Sequence, residues 1–262
     1  MTKYLLRFTA LFYLAFLLVV PVGVVFWRTF ENGFGAFWDA VTTPEAVHAF
    51  KITLIVAISA VILNTIFGVM VSLLLVRREF PGKRVLNLLI DLPLAISPVV
   101  VGLALILVYG RLTPVGEWFG DHGVNILYAL PAMVMATAFV SLPLVVREVV
   151  PVLQEIGTEQ EQAASTLGAS ALQTFRRITL PTIRWALMYG IILTLARSLG
   201  EFGAVAVVSG RIRNETQTLT LLVQERYTNF DQEGAYAISF TLALIAIVSM
   251  LVMTAVRPKE SY

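Results

Sequence analysis

The sequence predicts an all-α polytopic membrane protein with six transmembrane helices. Of its 262 residues, 58% are hydrophobic and only 14% are charged, whereas a soluble domain carries about a quarter charged residues. The mean hydropathy is correspondingly high, at +0.82. Six separate stretches also provide the roughly 20 mainly apolar residues that a helix needs to cross a bilayer.

The six apolar stretches give the predicted spans in chain order: residues 8–27, 52–76, 85–110, 126–146, 185–208 and 235–256. The first stretch is longer than the 7–15 apolar residues of a signal-peptide core, so we expect it to remain as a membrane anchor. No low-complexity linker divides the chain, which predicts a single transmembrane domain over residues 1–262.

The third predicted span contains Pro93, Ser97, Pro98 and Gly102, which predict a break or kink inside the membrane. Backbone groups freed at such a break are tolerated beside protein or a water-filled cavity, and half-helix ends are natural anion sites. Ser97 and Pro98 are therefore candidate residues of a translocation pathway, and a simple packing kink is the alternative. Asp91, in the same span, either pairs with a basic residue near the cytoplasmic end or stays solvated.

Basic residues in the connections predict the orientation, because Lys and Arg are enriched in cytoplasmic loops. With the N-terminus inside, twelve basic residues lie on the cytoplasmic side and six outside. This distribution predicts a multi-pass protein of the inner membrane with both termini in the cytoplasm. The cytoplasmic residues are Lys3, Arg7, Arg77, Arg78, Lys83, Arg84, Arg147, Arg176, Arg177, Arg184, Arg257 and Lys259, and the outer ones are Arg28, Lys51, Arg111, Arg211, Arg213 and Arg226.

The cytoplasmic connection of residues 150–184 is predicted to fold as a helix, a glycine turn and a second helix. Residues 158–161 and 170–173 both have the capping-box pattern that begins a helix. Gly168 lies between them, where a left-handed residue can end the first helix. Pro181 then stops the second helix or begins the next. Ala163 and Ala164 leave a shallow face on which a partner surface could sit.

Several residues of this connection resemble the cytoplasmic loop by which permease subunits of ABC importers grip their ATPase. The resemblance implies that this chain docks its ATPase through Glu161, Gln162, Ala163, Ala164, Gly168, Ile178, Leu180 and Pro181. The sequence departs from the usual family pattern at Gln162, where Glu is common, and Glu161 stands one residue upstream. An ordinary amphipathic cytoplasmic hairpin is the alternative.

Nearly the whole chain resembles the sulfate/molybdate branch of these importers, through residues 91–102, 197–204 and 216–223. Within that branch, residues 146–149 and 216–223 most resemble the W-type permeases of sulfate/thiosulfate transporters. The resemblance implies a type I importer permease fold and a heterodimer with a second homologous permease. It also implies two cytoplasmic ATPase subunits, which bind ATP and Mg²⁺, and an external sulfate-binding protein. This chain itself is expected to bind no cofactor.

Arg197 and Glu201 are charged residues inside the fifth predicted span, one helical turn apart. Charges at that depth are costly and usually face a protein interior or a water-filled path. Arg197 therefore either offers a positive site to a passing dianion, moderated by Glu201, or forms a structural ion pair with it. Both residues are candidate members of the translocation pathway.

Other classes of function lack the residues that they need. The chain has no Cys and only two His residues, His48 and His122, both predicted in outer loops, so we expect neither a metal site nor a catalytic triad. Gly82-Lys83 lacks the preceding glycine of a phosphate-binding loop, so ATP hydrolysis is assigned to a partner. The net charge of +2 gives no indication of a nucleic-acid partner. The alternatives are the same machinery carrying molybdate or tungstate, and a secondary anion transporter without an ATPase.

Overall fold

The computed structural model describes residues 2–256, with side-chain exposure for residues 4–251, and these residues form helices without any strand. Arg257 and Lys259, two of the predicted cytoplasmic residues, lie outside the described residues. The helices are α1 (Thr2–Leu14), α2 (Val20–Phe30), α3 (Gly33–Val41), α4 (Pro44–Arg77), α5 (Lys83–Ala95), α6 (Pro98–Tyr109), α7 (Pro114–Asp121), α8 (Leu130–Ile156), α9 (Glu159–Thr166), α10 (Ala171–Thr174), α11 (Leu180–Leu199), α12 (Gly203–Val208), α13 (Leu219–Thr228) and α14 (Gln232–Val256), with π-helical turns at Ala15–Val19 and Phe175–Thr179.

The predicted all-α membrane fold is confirmed. Within residues 2–256, five continuous helices are long and apolar enough to cross a membrane, and a bent pair gives a sixth candidate span. The continuous helices cover Tyr4–Phe30, Pro44–Arg77, Leu130–Ile156, Ala171–Leu199 and Gln232–Leu251. The third predicted span is broken as expected, since α5 and α6 meet at an angle of 114° beside Ser97.

The predicted fifth span is wrong at its C-terminal end, because α11 stops at Leu199 and a separate short helix, α12, follows. The break is stabilised by contacts of its own. Glu201 Oε1 accepts the Ala204 N–H at 2.9 Å and so caps α12. Thr220 Oγ1 donates to the Glu201 carbonyl at 2.9 Å and fixes the turn to α13. Arg197 therefore lies in the last turn of α11 rather than near the middle of a continuous helix.

Both π-helical turns end two residues before a proline. The Val20 N–H donates to the Ala15 carbonyl and the Leu180 N–H to the Phe175 carbonyl, and Pro21 and Pro181 follow. A proline lacks an N–H, and its ring presses on the carbonyl four residues earlier. A widened turn makes room for that ring without ending the helix. The first span and the Ala171–Leu199 helix therefore run through their prolines.

Helices α4, α8 and α11 pack closely at small residues. A Cβ on Gly68 would lie 2.8 Å from Val145 Cγ1, and one on Gly190 would lie 3.0 Å from Val145 Cα. Small residues allow such close backbone approach between membrane helices. Asn64 of α4 also bonds to α8, since its Nδ2 donates to Ser141 Oγ at 2.9 Å and to the Ala138 carbonyl at 3.0 Å. These contacts make the three helices the buried centre of the molecule.

The two broken spans contact each other through α6 and α12. A Cβ on Gly102 of α6 would lie 2.7 Å from Val207 Cβ and 2.8 Å from the Ala204 carbonyl oxygen. A Cβ on Gly203 would lie 3.0 Å from Pro98 Cβ. The absence of side chains at these glycines therefore lets the two short helices begin side by side.

Candidate coupling loop and translocation site

The turn at Gly168 has the predicted geometry. Its φ of 83° lies in the left-handed region, where glycine carries no steric cost. The Gly168 N–H donates to the Ser165 carbonyl and the Ala169 N–H to the Ala164 carbonyl, both at 3.0 Å. These two bonds form a Schellman motif, which ends α9 and reverses the chain.

The two predicted capping boxes have different outcomes. At Ser170 the box is confirmed, since its Oγ accepts the Gln173 N–H at 3.3 Å and its own N–H donates to Gln173 Oε1 at 2.9 Å. At Thr158 the prediction is wrong, because the side chain caps no backbone group of α9 and instead accepts from Gln162 Nε2 at 2.9 Å. Glu161, which would complete that box, is held by residues elsewhere in the chain.

The carboxylate of Glu161 binds side chains from two other helical elements. Arg77 Nε donates to Glu161 Oε2 at 2.9 Å, and Arg77 Nη2 donates to Oε1 at 3.2 Å. Thr179 Oγ1 also donates to Oε1, at 2.8 Å. A capping bond to Thr158 is weaker than a bidentate bond to a guanidinium, so the longer-range partner takes the carboxylate.

The second helix of the loop does not end at Pro181, the first of the two predicted alternatives, and Pro181 instead lies in the first turn of α11, as the second alternative has it. Helix α10 continues through the π-helical turn into α11, so that Ala171–Leu199 is one helix. Ile178 and Leu180 are half-buried on it, and Pro181 is exposed. The predicted ATPase-coupling residues on this side of Gly168 therefore lie at the start of a membrane-spanning helix, the end that is predicted to face the cytoplasm.

The exposed surface of the loop is more apolar than the sequence prediction indicated. Gln162 and Ala163 are exposed and Ala164 is half-buried. Leu167 and Leu172, on either side of the Gly168 turn, are 88% and 74% exposed. Sequence reasoning missed both leucines, although two apolar residues flanking a glycine in a polar stretch were a usable signal.

Arg197 and Glu201 form an ion pair at the end of α11. Arg197 Nη1 lies 2.8 Å from Glu201 Oε2, and the two side chains are 39% and 2% exposed. This contact lacks hydrogen-bond geometry. Glu201 is thus buried in the break of its own span, where its Oε1 also accepts the N–H of Ala204 in α12, while the Arg197 side chain is partly exposed.

Ser97 and Pro98 lie at the other break, next to the first residue of α12. Pro98 is in the first turn of α6, and the Ser97 carbonyl accepts the N–H groups of Val100 at 2.9 Å and Val101 at 3.2 Å. The Ser97 side chain makes no capping bond. The structure thus brings Pro98 beside Gly203, two residues after Glu201.

Asp91 is paired rather than solvated. Arg147 Nε donates to Asp91 Oδ1 at 2.7 Å, and Arg147 Nη2 contacts the second carboxylate oxygen. This bond ties α5 to α8 on the side of the break that is predicted to face the cytoplasm. The first of the two predicted alternatives is therefore confirmed.

The connection after α12, which is predicted to face outward, is buried at its centre. Thr216, Gln217 and Thr218 are buried, and the Leu219 N–H donates to Thr53 Oγ1 at 2.9 Å. Arg213 is an exposed residue of the same connection, and a hydrogen bond to Glu225 raises the pKa of its guanidinium. Within the described residues, no cluster of three His, Cys, Asp or Glu side chains could hold a metal ion.

Comparison with known families shows to which family the chain belongs. Residues 64–262 match the model of the "Binding-protein-dependent transport system inner membrane component" family. The chain belongs to this family. The match covers about three quarters of the sequence, from within α4 onward, and so includes the loop and both broken spans.

Individual relatives of this permease are considerably closer. A sulfate transport system permease protein CysW from Synechocystis is 46% identical over 95% of this chain and 90% of its own length. A sulfate transport system permease protein CysT from Salmonella typhimurium is 36% identical over 97% and 90%. The higher identity to CysW agrees with the W-type resemblance of residues 146–149 and 216–223.

The fold is that of solved ABC importer permeases. A chain of a bacterial ABC transporter that imports the acidic polysaccharide alginate superposes with a TM-score of 0.81, at 15% identity, over 100% of this permease and 96% of that chain. At this identity the match establishes the fold alone. It confirms the predicted type I importer permease architecture, including the first span.

Proposed function

We propose that this permease forms half of the translocation pathway of an ATP-driven importer that takes up sulfate or thiosulfate. The observation that carries the proposal is the 46% identity to a sulfate transport permease over 95% of the chain. An alignment of that extent includes the coupling loop and both broken spans, so the parts that would dock an ATPase and line a path are shared.

The proposed partners follow from two surfaces. The exposed Leu167 and Leu172, together with the exposed Ala163, offer an apolar face to a cytoplasmic ATPase subunit. ATP and Mg²⁺ would bind to two such subunits. A second homologous permease, such as a CysT-like chain, would complete the pathway, and an external sulfate-binding protein would deliver the anion. Both termini would lie in the cytoplasm, as the twelve-to-six distribution of basic residues predicts.

The proposed path passes the guanidinium of Arg197. A dianion in a poorly solvated path needs a positive group, and Arg197 is partly exposed, whereas its counter-charge on Glu201 is buried. Glu201 would reduce the local positive potential and so prevent the anion from being trapped. Ser97 and Pro98 would border the path at the second break.

The test is uptake by the complete complex in liposomes. The permease pair, the two ATPase subunits and the binding protein loaded with radiolabelled sulfate should give ATP-dependent accumulation. An ATPase variant without its phosphate-binding lysine should abolish it. Uptake that continues with the permease alone under a proton or sodium gradient would favour the secondary transporter instead. A binding protein that releases labelled sulfate to excess molybdate, but not the reverse, would favour molybdate or tungstate.

A further inference from the structure

The Glu161 carboxylate joins the loop to three membrane-spanning helices at one point. Its partner Arg77 is the last residue of α4, and Arg77 Nη1 also donates to the Leu153 carbonyl of α8 at 3.0 Å. Its other partner, Thr179, ends the π-helical turn that leads into α11. One carboxylate therefore links α9 directly to α4 and to the start of α11, and indirectly to α8.

The setting of the pair favours a persistent contact. The Arg77 and Glu161 side chains are only 15% and 22% exposed, so water screens them less than an ordinary surface pair. Glu161 also lies in the first turn of α9 and Arg77 in the last turn of α4. A negative charge at a helix N-terminus and a positive charge at a C-terminus both interact favourably with the helix dipoles. Both oxygens of the carboxylate have partners.

The position of Glu161 on α9 separates it from the docking face. Gln162, Ala163 and Leu167 are exposed, whereas Glu161 turns toward the membrane helices. Its carboxylate oxygens are already occupied by Arg77 and Thr179, so Glu161 offers little to an ATPase surface. This arrangement differs from the direct docking role that the sequence resemblance implies for Glu161.

We propose that the cluster of Arg77, Glu161 and Thr179 transmits displacement of α9 to the membrane helices α4, α8 and α11. Glu161 is then a positioning residue that acts through Arg77, and the ATPase binds to other residues of the loop. The proposal rests on the proposed function, because it assumes that an ATPase pushes on α9.

The experiment compares single and double variants in the complete complex. Glu161→Gln, Arg77→Gln and the double variant are each purified with their partners. The matched controls are Glu159→Gln and Arg78→Gln, which alter exposed neighbours that form no ion pair with another described residue. Three quantities are measured: the amount of ATPase subunit retained, ATP hydrolysis with and without loaded binding protein, and sulfate uptake.

We expect each single variant to retain the ATPase subunits and their basal hydrolysis. Stimulation by loaded binding protein and sulfate uptake should both fall about tenfold or more. The double variant should be no worse than the worse single variant, because the two residues act as one unit. Both controls should match the wild type. Thr179→Val, which removes only the hydroxyl donor, should give a smaller loss in the same two quantities.

Three results would overturn the proposal. The first is loss of bound ATPase in Glu161→Gln, which would make Glu161 a docking contact. The second is undiminished stimulation and uptake, and the third is an additive loss in the double variant. If a glutamine variant of the permease does not fold and insert into the membrane, Thr179→Val decides by the same readouts. A wild-type complex that hydrolyses ATP on addition of loaded binding protein but accumulates no sulfate would reject the proposed substrate only, and the cluster would be judged by stimulated hydrolysis.

Discussion

Replacing Gly168 tests the coupling turn through backbone strain alone. The residue has a φ of 83°, and a Cβ built on it would meet no heavy atom within 4 Å. Steric crowding therefore does not contribute, and the cost of a substitution comes from the left-handed conformation. That cost is about 1–2 kcal/mol for an ordinary L-residue. It is smaller for Asn, which tolerates this region, and larger for a β-branched residue.

The expected effect on ATPase binding follows from this cost. If the bound loop keeps the turn of the free structure, 1–2 kcal/mol of strain lowers the population of the correct turn about 5- to 30-fold. In Gly168→Ala the free loop can relax out of the strained turn, whereas the bound loop cannot. We therefore expect this variant to raise the Kd for the ATPase subunit by about that factor. Gly168→Asn should have a smaller effect and Gly168→Val a larger one. The order Gly, Asn, Ala, Val is the specific prediction.

The assay is titration of labelled ATPase subunit onto the permease pair in lipid nanodiscs. Gly120→Val is the matched control, because Gly120 also has open space around it but lies in α7 without a positive φ. The control should bind the ATPase like the wild type. If Gly168→Val binds as tightly as the wild type, the turn does not have to persist in the complex and the docking assignment is refuted. An Asn variant as weak as Val would refute the strain argument.

Three further predictions concern topology, packing and the path. A cysteine at Gln173 should react only with membrane-permeant or cytoplasmic reagents, and one at Asn214 should react from outside; labelling of residue 173 in intact cells by an impermeant reagent would reverse the topology. Gly102→Ala should destabilise the α6–α12 contact by about 1–3 kcal/mol, measured as a lower midpoint of thermal unfolding, and an unchanged midpoint would contradict the close packing. Arg197→Gln should slow sulfate uptake and Arg197→Glu should abolish it, with assembly intact in both. If instead the swap of Arg197 and Glu201 restores assembly together with full uptake, the pair is structural and Arg197 is removed from the pathway.

The sequence predicted the features that depend on local patterns. Hydropathy located six spans because a bilayer requires long apolar helices. Gly168 was identified because few other residues adopt a left-handed turn, and the Ser170 capping box because its bonds lie within four residues. The break near Pro98 was predicted because proline cannot donate a helical hydrogen bond.

The features that sequence reasoning missed depend on distant residues. Glu161 leaves its capping box because Arg77, 84 residues away, offers a stronger bond. The hydropathy pattern does not reveal the break after Leu199, since the residues on both sides of the break are apolar. It is held by Thr220, which donates from α13 to the Glu201 carbonyl. The joining of α10 to α11 was not predicted, because a π-helical turn leaves no clear sign in composition.

The π-helical turn changes how the loop can act on the path. A hinge at Pro181 would let the docking helix move independently of the membrane. Instead, Ala171–Leu199 is a single helix of 29 residues, about 40 Å long at 1.5 Å per residue. It begins three residues after Gly168 and carries Arg197 in its last turn. In the proposed importer, displacement of the loop is therefore carried along a continuous helix to the break at Glu201, and the Arg77–Glu161 pair directs the same displacement into α4. The first interruption that α11 reaches is the break itself, beside Pro98, so the coupling movement and the candidate anion path meet there.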